Sequence, residues 1–378
     1  MSPNLGEVSI GESINWQADL LHLAQGIVRQ HRQPFHLISQ ATFDARVAEL
    51  SAGIASLSDN DALVALRGIA ASIGDGHTFI AVPRRPRLPL ELYWCGKDLT
   101  VIRAGMEHRD LLGQRVLAIG DRPVAEVQTR LQPLIAQGEN EGYVLARSAE
   151  LLCEPEIITA LGLEPSFRFA DHEGRESVAR LEATGGDLTA ADNAPLPMQR
   201  PSEPFWFEHL APHNAVYVQF RSYNALQHNV PQLIDALRQQ PADRLIIDLR
   251  QNGGGNFYAG RQSLLLAVHH LGLVRGQLFV LVGRRTFSAS MVNAIDFARE
   301  TEAILVGEPI GGRPWGYQEN GWFTLPGSGL NVSVATRLYR FGPENEPSFN
   351  PDHRIDVTHG DVVAGRDRAL DWALRATV

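Results

Sequence analysis

The chain is almost without lysine. Lys97 is the single lysine in 378 residues, so nearly all the positive charge is carried by arginine. That leaves one ammonium group to serve as a buried general base or Schiff-base former, roles that arginine cannot fill. Cysteine is scarce too, at Cys95 and Cys153, each in apolar company (LYWCG and LLCEP). Two such thiols read as buried and free, which excludes a disulfide framework. No run of about 18 apolar residues occurs, so no membrane-spanning helix is expected. Positive charge is not in excess: the net charge of −9 excludes nucleic acid as the main partner, because phosphate binding needs clustered Lys and Arg. There is no H-E-x-x-H and no Cys/His cluster at ligand spacing, so neither a metal nor a cofactor is expected. The opening residues, MSPNLGEVSIGESINW, lack the basic segment and apolar run of a secretory leader. The expected location is therefore the cytoplasm.

What is present is an ordinary soluble composition, 44% apolar and 20% charged, long enough for two or three domains. Residues 12–58 read as helical. Leu20, Leu21, Leu23, Ala24 and Ile27 form one stripe at helical spacing, and Phe43, Val47, Leu50, Ile54 and Leu57 form a second. A third helix over 61–72 stops at the turn Ile73-Gly74-Asp75-Gly76, followed by His77-Thr78. The Pro-rich stretch 82–92 reads as a linker. Short β-like runs follow (LELYW, LTVIRA, RVLAIG), then a helical segment, VAEVQTRLQPLI. The run LLGQRVLAIGDRPV resembles part of a PDZ domain. Residues 185–203 read as an exposed loop.

From there the pattern changes. The apolar runs AVYVQF, RLIIDLR, LFVLVG and AILVG alternate with the amphipathic segments VPQLIDALRQQ and MVNAIDFARE. Such alternation predicts βαβ units around a buried, largely parallel sheet.

Three segments of this region carry chemistry. In the first, the strand Leu245–Asp248 runs into Leu249-Arg250-Gln251-Asn252-Gly253-Gly254-Gly255. Glycines at the carboxyl end of an α/β strand leave backbone N–H groups open to a ligand. Neither a Walker loop nor a dinucleotide fingerprint fits the spacing. In the second, Phe287-Ser288-Ala289-Ser290 joins a strand to a helix. A serine there is either a helix cap or a nucleophile placed at the helix dipole. The third, Val306-Gly307-Glu308-Pro309-Ile310-Gly311-Gly312-Arg313, is another strand ending in a glycine turn. The order D-L-R-x-N-G-G-G, S-A-S, V-G-E-P-x-x-G resembles the catalytic core of the tail-specific (C-terminal processing) serine peptidases, a superfamily that includes the tricorn protease core. Gly74-Asp75-Gly76-His77-Thr78 extends the likeness to the N-terminal part.

The resemblance implies an α/β (α+β multidomain) fold: an N-terminal helical region over 1–85, a PDZ-like module over 86–190 and a ClpP/crotonase-like α/β peptidase core over 204–378. It also implies a serine endopeptidase acting on peptide or protein substrates, with Ser288 as nucleophile and Ala289 with Gly254 or Gly255 as the oxyanion hole. The sequence departs from the family at one place. Where many members carry a catalytic lysine, this chain has Arg313, which cannot give up its proton at usable pH. The tricorn-like branch uses histidine, and His77 is the expected base. A third group should orient the imidazole. Glu319 is the first choice, with Asp75 and Asp352 as alternatives; His353 is an alternative base. Asp248 and Arg250 read as a structural pair. Two other functions remain open: a non-proteolytic ligand- or peptide-binding protein on the same fold, as in a retinoid-binding branch, or another acyl hydrolase. The missing G-x-S-x-G elbow argues against the common α/β-hydrolases.

Overall fold

The structure is a computed structural model that describes residues 14–83 and 85–377. The leader-free reading of the first residues, and the start of the helical run at residue 12, lie outside the described residues. Among the described residues no helix is long and apolar enough to cross a membrane.

The N-terminal part is three helices, α1 (Trp16–Gln30), α2 (Gln40–Gly53) and α3 (Asp59–Ala71), followed by a short strand β1 (Phe79–Ala81). Each helix starts where a side chain accepts a first-turn N–H: Asn15 from Ala18, Ser39 from Thr42 and Ser58 from Asp61. Of the two expected stripes, Leu20, Leu23, Ile27, Phe43 and Ile54 are buried, whereas Leu21 and Leu57 face solvent. The core they build is not their own. It also contains Leu325, Leu330, Val332 and Val334 from far along the chain.

The second part is a five-stranded antiparallel sheet in the order β2–β3–β4–β6–β7, made of β2 (Leu90–Cys95), β3 (Asp98–Ala104), β4 (Arg115–Ile119), β6 (Ser166–Ala170) and β7 (Glu176–Arg180), with β5 (Arg122–Pro123) hairpinned onto β4. Between β5 and β6 come α4 (Val124–Leu131), α5 (Glu141–Leu151) and α6 (Pro155–Ala160). The linker expected over 82–92 is shorter than that, because Leu88 and Leu90 are buried and β2 already begins at Leu90. Both cysteines are buried and free, and burial pushes each thiol up to about 12.

The third part is a six-stranded sheet in the order β15–β12–β11–β10–β9–β8. Its strands are β8 (Phe205–Leu210), β9 (Ala215–Phe220), β10 (Arg244–Asp248), β11 (Leu278–Val282), β12 (Ile304–Gly307) and β15 (His353–Arg354). All pairs are parallel except β8 with β9. Every residue of β9 and β11 is buried, as expected for strands covered on both faces. The covering helices are α7 (Leu226–Gln239), α8 (Phe257–Gly260), α9 (Leu266–His270), α10 (Ala289–Glu300) and α12 (Arg368–Arg375), whereas α11 (His359–Ala364) packs on β3 of the second part. A long hairpin, β13 (Trp315–Thr324) and β14 (Asn331–Arg340), leaves this core and pairs with β1. Through it the N-terminal helices are fastened to the α/β part.

The ends of β10, β11 and β12 lie side by side, with Asp248 opposite Leu281 and Val282 opposite Gly307. The three segments singled out in the sequence therefore emerge at one sheet edge, the usual ligand-binding edge of such folds. Arg250 pairs with Asp248 at 2.6 Å and Asp367 at 2.7 Å, so these charges tie the edge to the start of α12.

Candidate active site

After β11 the chain turns sharply before α10. Thr286 pins this turn: its hydroxyl accepts from Gly283 N–H (3.0 Å) and donates to the Leu249 carbonyl (2.9 Å). Ser290 donates to the carbonyl of Asn252 at 2.6 Å. These bonds join the serine turn to the glycine loop after β10. Between them Ser288 adopts φ 56° and ψ −124°, a conformation that L-residues rarely take. It occupies the cap position of α10, but its side chain makes no capping bond. Such strain at a strand-to-helix turn is the geometry of a nucleophile elbow, reached here without the G-x-S-x-G glycines.

His77 arrives from the other end of the molecule. Gly74 (φ 98°) turns the chain out of the α3 region, and Asp75 then organises the turn. Its carboxylate accepts from His77 N–H (3.0 Å), from the Thr78 hydroxyl (3.0 Å) and from His31 Nε2 (2.9 Å). Ser333 of β14 donates to the His77 carbonyl at 2.7 Å. The imidazole is buried and stacks on Phe287, with ring centroids 5.0 Å apart. Its Nε2 lies 2.9 Å from Ser288 Oγ. Burial pushes the imidazole down to about 4, partly countered by the Asp75 charge. A neutral ring accepting from Ser288 at Nε2 carries its proton on Nδ1. That Nδ1 is buried and has no hydrogen-bond partner among the described residues.

The N–H of Ala289, first residue of α10, is one of the donors that a helix start leaves without an intrahelical acceptor. Gly254 presses against this spot. A β-carbon there would meet Ser288 Cβ at 2.7 Å and Ala289 N at 3.2 Å, and its φ of 112° suits glycine alone. Its own N–H is directed to Asn252 Oδ1 at 2.9 Å, which removes it as an oxyanion donor. Of the two glycines expected from the sequence, Gly255 is the one whose N–H is not engaged in this way. Gly255 has φ 153° and packs on Tyr223, whose ring a β-carbon would strike at 2.6 Å.

The expected orienting acids do not face His77 Nδ1. The carboxylate of Glu319 is half-exposed, accepts from the Tyr339 hydroxyl (2.6 Å) and pairs with Arg337 (3.2 Å), both on β14. Its backbone has φ 64°, rare within a strand. Asp352 accepts from Leu305 N–H at 2.8 Å and serves β12. Asp75 is closest in role, but it holds the backbone of His77, not its ring. His353 stacks on Trp372 at 3.9 Å in the edge strand β15, away from Ser288. Arg313 donates its guanidinium to the carbonyls of Gly138 (3.2 Å) and Glu344 (3.1 Å). Sequence reasoning missed several residues that support the site: Phe287, His31, Glu139 and Asn140. Asn140 Nδ2 reaches the carbonyls of Ile310 (2.7 Å), Gly312 (3.2 Å) and Pro347 (3.1 Å). A Gly-Glu-Asn turn before a helix carries no signal beyond capping. Among the described residues there is no group of three or more His, Cys, Asp or Glu that could hold a metal ion.

A cavity of about 600 Å³ adjoins the pair, with Gly76, Gly253 and Phe287 on one side and Leu92 of β2, Tyr143 and Arg147 of α5 on the other.

The sequence model of Peptidase family S41 matches residues 214–274, which include β10 and the glycine loop. No curated protein matches. Among solved structures, mature CPAF complexed with lactacystin is similar over 95% of this chain and 97% of that one, at 11% identity and a TM-score of 0.66. A second structure of mature CPAF matches over 95% of both chains, at 10% identity and a TM-score of 0.65. A photosystem II D1 C-terminal processing protease covers 91% of this chain and 94% of its own, at 16% identity and a TM-score of 0.46. The likeness to the two mature CPAF structures speaks for the fold, and the segment that resembles Peptidase family S41 holds β10 and the glycine loop.

Proposed function

We propose that this chain is a serine endopeptidase that works through an acyl-enzyme on Ser288 with His77 as general base. The observation that carries this reading is the 2.9 Å contact from Ser288 Oγ to His77 Nε2, made by a serine that sits in a cap position and caps nothing. In the proposed reaction Oγ attacks a peptide carbonyl carbon while its proton passes to Nε2. The C–N bond then breaks as the imidazolium returns that proton to the leaving amine. Water, deprotonated by the same nitrogen, hydrolyses the ester and restores the serine. The N–H groups of Ala289 and Gly255 receive the oxyanion, each donor contributing about 3–4 kcal/mol. Because burial holds His77 near 4, the base is neutral and ready at neutral pH. Asp75 acts by fixing the turn and by its charge, so the machinery is a dyad with an indirect acid.

The organisation proposed is a helical unit over 1–85, a PDZ-like module over 86–190 and the peptidase core over 204–378. The substrate is a peptide or protein that reaches Ser288 through the cavity between β2, α5 and the glycine loop. The rival reading, a binding protein that performs no cleavage, leaves the strained serine without a purpose. A fluorophosphonate probe separates the two. The expected result is labelling of the wild type and none of Ser288→Ala; equal labelling of both would remove Ser288 as nucleophile. An unlabelled wild type would favour the binding protein.

A further inference from the structure

The loop before α5 makes contacts that the proposed chemistry does not use. Glu139 lies in it, and its carboxylate joins two distant turns. Oε1 accepts from Gly76 N–H at 3.0 Å, next to the proposed base, and Oε2 accepts from Arg313 N–H at 3.1 Å. The adjoining residues continue the join. Gly138 N–H donates to the Gly74 carbonyl at 2.8 Å, and Asn140 holds the carbonyls of Ile310 and Gly312. Both bridged turns touch the serine turn. A β-carbon on Gly76 would lie 2.7 Å from the Phe287 ring, and one on Gly312 would lie 3.1 Å from it. Phe287 precedes Ser288 and carries the His77 ring on its face. One carboxylate therefore sets how the histidine turn sits against the serine turn.

We propose that Glu139, as the ionised carboxylate, is a positioning residue that holds the His77 turn in register with Ser288. The reason lies in hydrogen-bond capacity. A carboxylate offers an acceptor on each oxygen, so it satisfies both N–H groups. The protonated acid offers one good acceptor and turns a hydroxyl towards the other donor, so one of the two turns is released. Protonation occurs near neutral pH. Burial pushes Glu139 up to about 7, with the nearby Asp75 charge adding to the rise, while the Gly76 and Arg313 amides and the Arg313 charge oppose it. The groups facing it from the neighbouring elements are Asp75 on the turn after α3, Arg313 after β12 and Tyr143 on α5. Behind Asp75 lie His31 and His36. The guanidinium of Arg313 is spent on two carbonyls and makes no salt bridge to Glu139 among the described residues.

This inference rests on Ser288 and His77 being the reacting pair, and the experiment reads the two ideas separately. In the full chain, amide NMR resonances of Gly76, His77 and Arg313 should titrate together with a midpoint near 7. In Glu139→Gln, whose side-chain amide mimics the protonated acid, they should not move between about pH 5.5 and 8.5. The rate of fluorophosphonate labelling at Ser288 should rise through the same midpoint in the wild type. In Glu139→Gln it should be slower at high pH by roughly ten- to a hundredfold, the cost of a misplaced catalytic group, and without that midpoint. Glu139→Asp, which keeps the charge on a shorter arm, should retain a midpoint and guards against a folding defect in the glutamine variant. Amides that do not titrate, or an unchanged labelling profile in Glu139→Gln, would overturn the proposal. Titrating amides in a wild type that is never labelled would remove the nucleophile reading and leave the clamp standing.

Discussion

Gly254 and Ser288 meet so closely that a β-carbon on the glycine would lie 2.7 Å from the β-carbon of the serine. The same carbon would stand 3.2 Å from the Ala289 nitrogen, in the space where the proposed oxyanion forms. Gly254→Ala should therefore lower kcat by roughly a hundredfold or more, the scale of losing an oxyanion donor, with KM little changed. Steady-state kinetics on a peptide substrate checks this. An alanine variant with near-normal kcat would mean that the oxyanion forms elsewhere.

Two buried groups should oppose each other in the pH dependence of stability. His77 is held near 4 from an ordinary 6.5, so the unfolded chain takes up a proton that the native chain refuses. On that account stability is intact above about 6.5 and falls as pH drops towards 4, by about 3 kcal/mol in all. Glu139 is raised from 4.5 to about 7, so the native chain keeps a proton that the unfolded chain releases. Its contribution to stability is full below 4.5 and is lost as pH rises towards 7. Between about 4.5 and 6.5 the two slopes offset each other. Urea denaturation should show stability falling more steeply with acid in Glu139→Gln than in the wild type. Parallel curves would count against these burial effects.

Arg313 stands where the resemblance would place a lysine, but introducing lysine should not create a lysine mechanism. The Arg313 side chain is aimed at the carbonyls of Gly138 and Glu344. A lysine there would find the same acceptors. His77→Ala should lose activity, and His77→Ala combined with Arg313→Lys should stay inactive from pH 6 to 10. Recovery at alkaline pH would show that position 313 does reach the serine.

Asp75 is buried and accepts from three donors. An asparagine has one acceptor oxygen and would turn its amide towards another donor. Asp75→Asn should cost about 1–3 kcal/mol of stability, the usual penalty for stranding a buried polar group. Labelling of Ser288 should slow as well, because the His77 backbone loses its anchor. Thermal melts and probe kinetics test the two effects together; a variant as stable and as reactive as wild type would remove Asp75 from the account.

The parallel core was legible because buried strands such as Leu278–Val282 are unbroken apolar runs between amphipathic helices. The proximity of Ser288 and His77 was legible from short segments around glycine turns. The β13–β14 hairpin was not, since much of β13 is half-exposed and its composition does not separate strand from loop. The choice of Glu319 failed for a related reason: its carboxylate is held by Tyr339 and Arg337 of the neighbouring strand, a contact that exists only once the hairpin has formed. Glu139 left no mark because its partners are backbone N–H groups 63 and 174 residues away, and any residue but proline supplies one.

The N-terminal helices complete their apolar core only with Leu325, Leu330, Val332 and Val334. A ribosome delivers His77 early, but the surface that seats its turn is not made until β14 has left the exit tunnel. A half-made chain thus holds a histidine without a serine, then a serine without a seated histidine. The proposed cleavage therefore has to wait until β14 has been made, which would spare the nascent polypeptide and its neighbours from premature cutting.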